Sequence, residues 1–92
     1  MAYPVIDTKA TGERIRQLRI ERGIRVEDIS AFMGFESMVA VYKWQSGKNL
    51  PSVDNLYALS RLFGVRIEEI LVEAGKNQKD NARQEETRRY MT

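Results

Sequence analysis

The chain has 92 residues, with 15 Lys and Arg against 13 Asp and Glu and a formal net charge of +2. That length is near the lower end of what one core supports unaided. It contains no cysteine and no histidine, which removes disulfides, thiolate zinc sites and the commonest general base. An enzyme is therefore disfavoured, and neither a metal nor a cofactor is expected. No apolar run reaches membrane-spanning length and Met1-Ala2-Tyr3-Pro4 lacks a secretory pattern, so the expected address is cytoplasmic.

In chain order, residues 1–10 read as an N-terminal arm. Thr11 is the expected N-cap of a first helix, roughly Gly12 to Arg22, with Ile15 and Leu18 inward and its arginines toward water. Gly23 stops that helix. A second helix, about Val26 to Met33, carries Val26, Ile29 and Met33 at helical spacing. Gly34 can take a positive φ without a Cβ penalty and breaks it, leaving apolar Phe35 in a turn. Ser37 is the expected N-cap of a third helix, about Met38 to Ser46, anchored inward by Val41 and Trp44 and ended by Gly47. After the Asn49-Leu50-Pro51 loop, Ser52 caps a fourth helix, about Val53 to Phe63, with Leu56, Leu59, Leu62 and Phe63 as its apolar stripe. A fifth helix is expected at about Ile67 to Glu73, turning Ile67, Ile70 and Leu71 inward.

The fold class predicted is all-α: five helices over residues 11–73, flanked by the arm and by a charged tail over 74–92. From Gly75 the tail has only Ala82, Tyr90 and Met91 as apolar residues. It is either frayed or one exposed helix supported by a partner chain, an option that Glu85 and Arg89, four apart, modestly favour.

The segments GERIRQLRIERG, DISAFMG, VYKWQSGKNLPSVDNLYALSRLFGV and EEIL together resemble the phage-repressor (Cro-like, XRE-type) helix-turn-helix family over roughly residues 11–73. The most specific parts are Trp44-Gln45-Ser46-Gly47-Lys48, then Pro51-Ser52, then Leu56, Ala58, Leu59, Phe63, Gly64 and Val65. Tyr42-Lys43-Trp44-Gln45 and Leu50 to Leu56 are similar to small regulators of mobile elements. The resemblance implies a third helix that enters the DNA major groove, reads bases from its start and holds phosphates from its end and the following loop.

Turned away from Val41 and Trp44 on that helix are Met38, Val39, Tyr42, Lys43 and Ser46, with Lys48 and Asn49 just beyond. Lys43, Lys48 and Asn49 suit phosphate contact, as do Ser37 and the free amides at the helix start. Tyr42 has a hydroxyl for a phosphate and a ring for a sugar. Three departures from the family pattern stand out. Val26 replaces a phosphate-holding glutamine, leaving Arg25 as the compensating residue although it is a poor N-cap. Gly34 and Trp44 are ten apart where nine is usual, so the third helix can start one residue either way. Met38 and Val39 sit where polar base-readers are usual; apolar side chains touch a thymine methyl but make no bidentate hydrogen bonds.

Other residues have structural readings. Trp44 packs the third helix against its neighbours rather than stacking a ligand. Ser37 and Ser52 cap. Glu68-Glu69 and Glu85-Glu86 are adjacent on helices and do not face each other. Tyr90 belongs to a solvated tail. Gly12, Gly23 and Gly34 form no phosphate-cradling loop, since no strand precedes them.

The leading functional expectation is a sequence-specific regulator, a repressor binding double-stranded DNA as a homodimer in the nucleoid, with the fifth helix and tail as the dimer surface. The alternative is a protein-interaction module, such as an antitoxin or mobile-element accessory factor, in which Met38, Val39 and Tyr42 bind a protein partner.

Overall fold

Residues 3–75 are described by a computed structural model. Helices α1 (Thr8–Glu21), α2 (Val26–Met33), α3 (Val39–Ser46) and α4 (Val53–Phe63) follow one another, and a 3₁₀ turn, Ile67–Glu69, closes the series. The predicted tail over 76–92, with its Glu85–Arg89 pair and Tyr90, lies outside the described residues.

The all-α architecture is as expected, but with four helices rather than five. After the 3₁₀ turn the chain extends instead of coiling. The Asp7 N–H donates to Val72 O at 2.7 Å, the Ala74 N–H donates to Val5 O at 2.6 Å, and Ile6 bridges Glu73 in antiparallel fashion. Pairing with the N-terminal segment thus replaces the intrahelical bonds that a fifth helix needs at residues 72–74.

The start of α1 also differs from expectation. Asp7 is the N-cap, its carboxylate accepting the Ala10 N–H at 2.9 Å, so the helix begins four residues before Gly12. Thr11 lies inside α1, fully buried. Its hydroxyl accepts the Val72 N–H at 2.9 Å and ties the end of the domain to α1. A threonine hydroxyl serves as well for this long-range bond as for capping, which is why the local pattern misled.

The core draws on every helix: Ile15 and Leu18 of α1, Val26 and Ile29 of α2, Val41 and Trp44 of α3, Leu56, Leu59 and Phe63 of α4, then Ile70. Met33, Leu62, Ile67 and Leu71 pack against it partly buried. Arg16 is exposed as expected, but Arg14 and Arg19 of α1 and the C-cap Arg22 do not simply face water. Arg14 Nε donates to Glu69 O at 2.8 Å and Arg22 Nε to Phe63 O at 2.6 Å. Arg19 Nη1 reaches Ile24 O at 3.0 Å, and its Nε reaches Gln45 Oε1 at 2.9 Å. These guanidinium groups satisfy carbonyls at helix ends and turns, groups that lack intrahelical partners.

Helix α3 is held against α1 by an unusually close backbone approach. A Cβ on Gly12 would lie 2.2 Å from Trp44 O and 2.6 Å from Gln45 O. At the other end of the seam, a Cβ on Gly47 would lie 2.6 Å from Lys9 Cα. Trp44, only 5% exposed, fills the space beside this crossing, and Phe35 from the α2–α3 turn meets its ring edge-on at 5.8 Å. Trp44→Ala is expected to destabilise the fold by about 3–5 kcal/mol, the usual cost of emptying a large aromatic site. Circular dichroism melts check this; a mutant melting like wild type would remove Trp44 from the core.

Candidate nucleic-acid interface

The connection between α2 and α3 spans Gly34 to Met38, which settles the register left open by the ten-residue Gly34–Trp44 spacing. Gly34 adopts the left-handed conformation at φ 77°. The Gly34 N–H donates to Ala31 O and the Phe35 N–H to Ser30 O, the two bonds of a Schellman stop. Met38, not Ser37, occupies the N-cap position of α3. The Ser37 hydroxyl still accepts the Val39 N–H, at 3.3 Å, so it serves the helix start from one residue further out.

Helix α3 ends in the same way. Gly47 is left-handed at φ 82°, its N–H donating to Trp44 O while the Lys48 N–H donates to Lys43 O at 2.9 Å. Lys43 O also accepts the Ser46 hydroxyl at 3.1 Å and the Asn49 N–H at 3.4 Å. One carbonyl therefore gathers the backbone of Lys48 and Asn49 and the side chain of Ser46 beneath Lys43.

The helix is sharply two-sided. Val41 and Trp44 are buried, whereas Met38 (38%), Val39 (55%) and Tyr42 (52%) are exposed, as are Lys43 and Ser46. Lys48 and Asn49 are exposed in the loop. An open groove of about 560 Å³ joins Ser37, Val39, Lys43 and Asn49 with the turn residues Gly34 and Phe35. Glu36 adds a carboxylate to the same wall. Glu36 was not among the residues expected at this face.

Arg25 stands apart from that cluster of contacts, as N-cap of α2. Its side chain pairs with Glu27 and Asp28, each at 3.4 Å. The Asp28 carboxylate also accepts the Arg25 N–H at 2.8 Å, supplying the cap that an arginine side chain cannot. Arg66 and Glu69 repeat the arrangement at the 3₁₀ turn, with 3.0 Å from the Arg66 N–H to Glu69 Oε2. The guanidinium of Arg25 is thus already matched by acids, in contrast to Lys43 and Lys48, which take part in none of the ion pairs among the described residues.

These geometries frame the likeness to known proteins. The model of the helix-turn-helix family matches residues 15–70. The chain is 34% identical over 59 residues to the HTH-type transcriptional activator BcrR of Enterococcus faecalis, a match covering 64% of this chain and 28% of BcrR. It is 32% identical over 59 residues to the HTH-type transcriptional regulator DdrOP3 of Deinococcus deserti, covering 64% of this chain and 45% of that protein. This chain thus matches less than half the length of either regulator. Among solved structures, the P22 c2 repressor in complex with a synthetic operator is 33% identical, with a TM-score of 0.61, over 66% of this chain and 91% of the repressor. The restriction-modification controller protein C.AhdI of Aeromonas hydrophila has a TM-score of 0.63 at 23% identity, over 70% of this chain and 96% of the controller, and is alike in fold. The chain belongs to the helix-turn-helix family of the phage-repressor type.

The Arg25–Asp28 and Arg66–Glu69 caps make a pH prediction. Hydrogen bonds from the Arg25 backbone N–H, then from its side chain, hold Asp28 below its ordinary 3.8. The Arg66 N–H and side chain hold Glu69 below its ordinary 4.5 in the same way. The unfolded chain therefore takes up these protons at higher pH than the folded one. Their contribution is complete above those ordinary values and is lost as pH falls through the lowered ones. The double variant Asp28→Asn, Glu69→Gln should lose less stability than wild type between about pH 5 and about pH 3 in thermal melts. Parallel pH profiles would contradict this.

Proposed function

We propose that this chain is a DNA-binding transcriptional regulator, a repressor that acts as a homodimer on double-stranded DNA. The carrying observation is the outward face of α3: exposed Val39, Tyr42, Lys43 and Ser46 continue into exposed Lys48 and Asn49, and neither lysine takes part in an ion pair among the described residues. Family membership and relatives named as transcriptional regulators support the same reading.

In this reading α3 lies in the major groove. Lys48, Asn49, Ser46 and Ser37 contact phosphates and sugars, which fix orientation without reading sequence. Lys43 adds charge to that set. Met38 and Val39 meet thymine methyls, and the Tyr42 hydroxyl donates to the backbone. Arg25 contributes only after loosening from Asp28 and Glu27. One domain covers a short half-site, so useful affinity calls for two copies on an approximately palindromic operator, about 34 Å apart. Ile70 is fully buried in its own chain, and Ile67 and Leu71 are partly buried, so little apolar surface remains there for the dimer. We therefore move the dimer contact from the expected fifth helix to α4, where Val53 (78%) and Tyr57 (54%) lie exposed four residues apart. The bound dimer then blocks a promoter sterically in the cytoplasm.

A second reading is favoured by the apolar character of Met38, Val39 and Tyr42, which equally fits a protein partner. Binding-site selection from random duplex separates the two. The regulator reading expects an enriched, approximately palindromic motif; no enrichment with folded protein at moderate salt overturns it. Lys43→Ala and Lys48→Ala should each weaken binding across sequences and lower the slope of log affinity against log salt by about one. An unchanged slope removes that residue from the phosphate contacts.

A further inference from the structure

We propose that Lys9, in the first turn of α1, is a DNA-phosphate contact that extends the interface beyond α3 and its loop. The inference rests on the DNA-binding reading above and adds a second element to it. Its starting point is the missing side chain of Gly47. A Cβ there would fall 2.6 Å from Lys9 Cα and 3.2 Å from Lys9 Cβ. The first turn of α1 is therefore pressed against the C-terminal stop of α3, and the Lys9 side chain leaves from beside it. The next residue along that stop is Lys48, whose N–H is fixed on Lys43 O at 2.9 Å. Lys9, distant in sequence, is thereby brought beside the helix end that carries Lys43 and Lys48.

Lys9, Lys43 and Lys48 are all exposed. The ion pairs among the described residues engage Arg22, Arg25 and Arg66, and none of these three lysines. Asp7 is nearby in sequence, but its carboxylate accepts the Ala10 N–H. Asp7 caps α1 and exposed Glu13 lies four residues beyond Lys9, yet neither carboxylate forms an ion pair with Lys9. A cation beside two others that, among the described residues, form no ion pair is matched when an external polyanion lies along the corner. The continuity of Lys9 with Lys48 around Gly47 favours a single nucleic-acid backbone passing from the α3 loop to α1.

The test titrates salt against binding of the full chain to a mixed-sequence duplex of about 30 base pairs, a probe whose electrostatic term needs no known operator. Wild type, Lys9→Ala, Lys9→Arg and Lys48→Ala are compared after melts establish that each is folded. Lys9→Ala should lower affinity several-fold and reduce the salt slope by about 0.9, the value for one released counterion. Lys9→Arg should restore the slope. If wild type binds and Lys9→Ala keeps its slope, Lys9 is outside the interface and this inference fails alone. Weakened binding with an unchanged slope, or no rescue by arginine, assigns Lys9 a structural part and also overturns it. If wild type shows no duplex binding, the DNA-binding reading itself fails, and this inference with it.

Discussion

The arrangement of the domain depends on how closely α1 and α3 approach at Gly12. Glycine within a helix ordinarily weakens it, by roughly 0.5–1 kcal/mol relative to alanine. Here it removes the one side chain that would collide with Trp44 O and Gln45 O of the neighbouring helix. The loss in helix propensity is offset by bringing two backbones together. That contact sets the depth of α3, and hence which of its residues are buried and which project.

Other interactions reinforce the same seam. Arg19 joins α1 to α3 through Gln45 and to the α2 approach through Ile24 O. Trp44 fills the space behind the crossing, and Phe35 closes over its edge. Gly47 lets the first turn of α1 lie against the stop of α3. Thr11, one residue before Gly12, anchors the chain beyond the 3₁₀ turn. The exposed face of α3 is thus presented by contacts along its whole buried side. Arg14, Arg19 and Arg22 belong to this framework, because they direct donors at carbonyls.

Much of this was legible in the sequence because it is local. The apolar periodicity of Val26, Ile29, Val41, Trp44, Leu56, Leu59 and Phe63 assigned the inward faces, and the Gly34 and Gly47 stops fell where helices end. What the sequence obscured depends on contacts between distant segments. Thr11 resembles a cap but bonds Val72, sixty-one residues away. Val72 and Glu73 fell within the expected fifth helix but pair with the N-terminal segment. Gly12 was read as the start of the first helix and as no part of a phosphate loop, since nothing adjacent to it announces a backbone approach. Of the candidate interface, the exposed set on α3 was readable from the burial of Val41 and Trp44. The ion pairs that occupy Arg25, and the position of Lys9 beside Gly47, required three-dimensional neighbours.

The most direct test of the Gly12 seam is the melting temperature of Gly12→Ala. Helix propensity alone predicts stabilisation at this interior position by roughly 0.5–1 kcal/mol. The close approach predicts the opposite sign, because the new methyl meets backbone oxygens that cannot turn aside. A destabilisation of about 1–3 kcal/mol is expected, typical of overpacking. In a domain of this size each kcal/mol corresponds to a fall of about 4–8 °C in melting temperature. A Gly12→Ala protein that melts at or above the wild-type temperature would contradict the account.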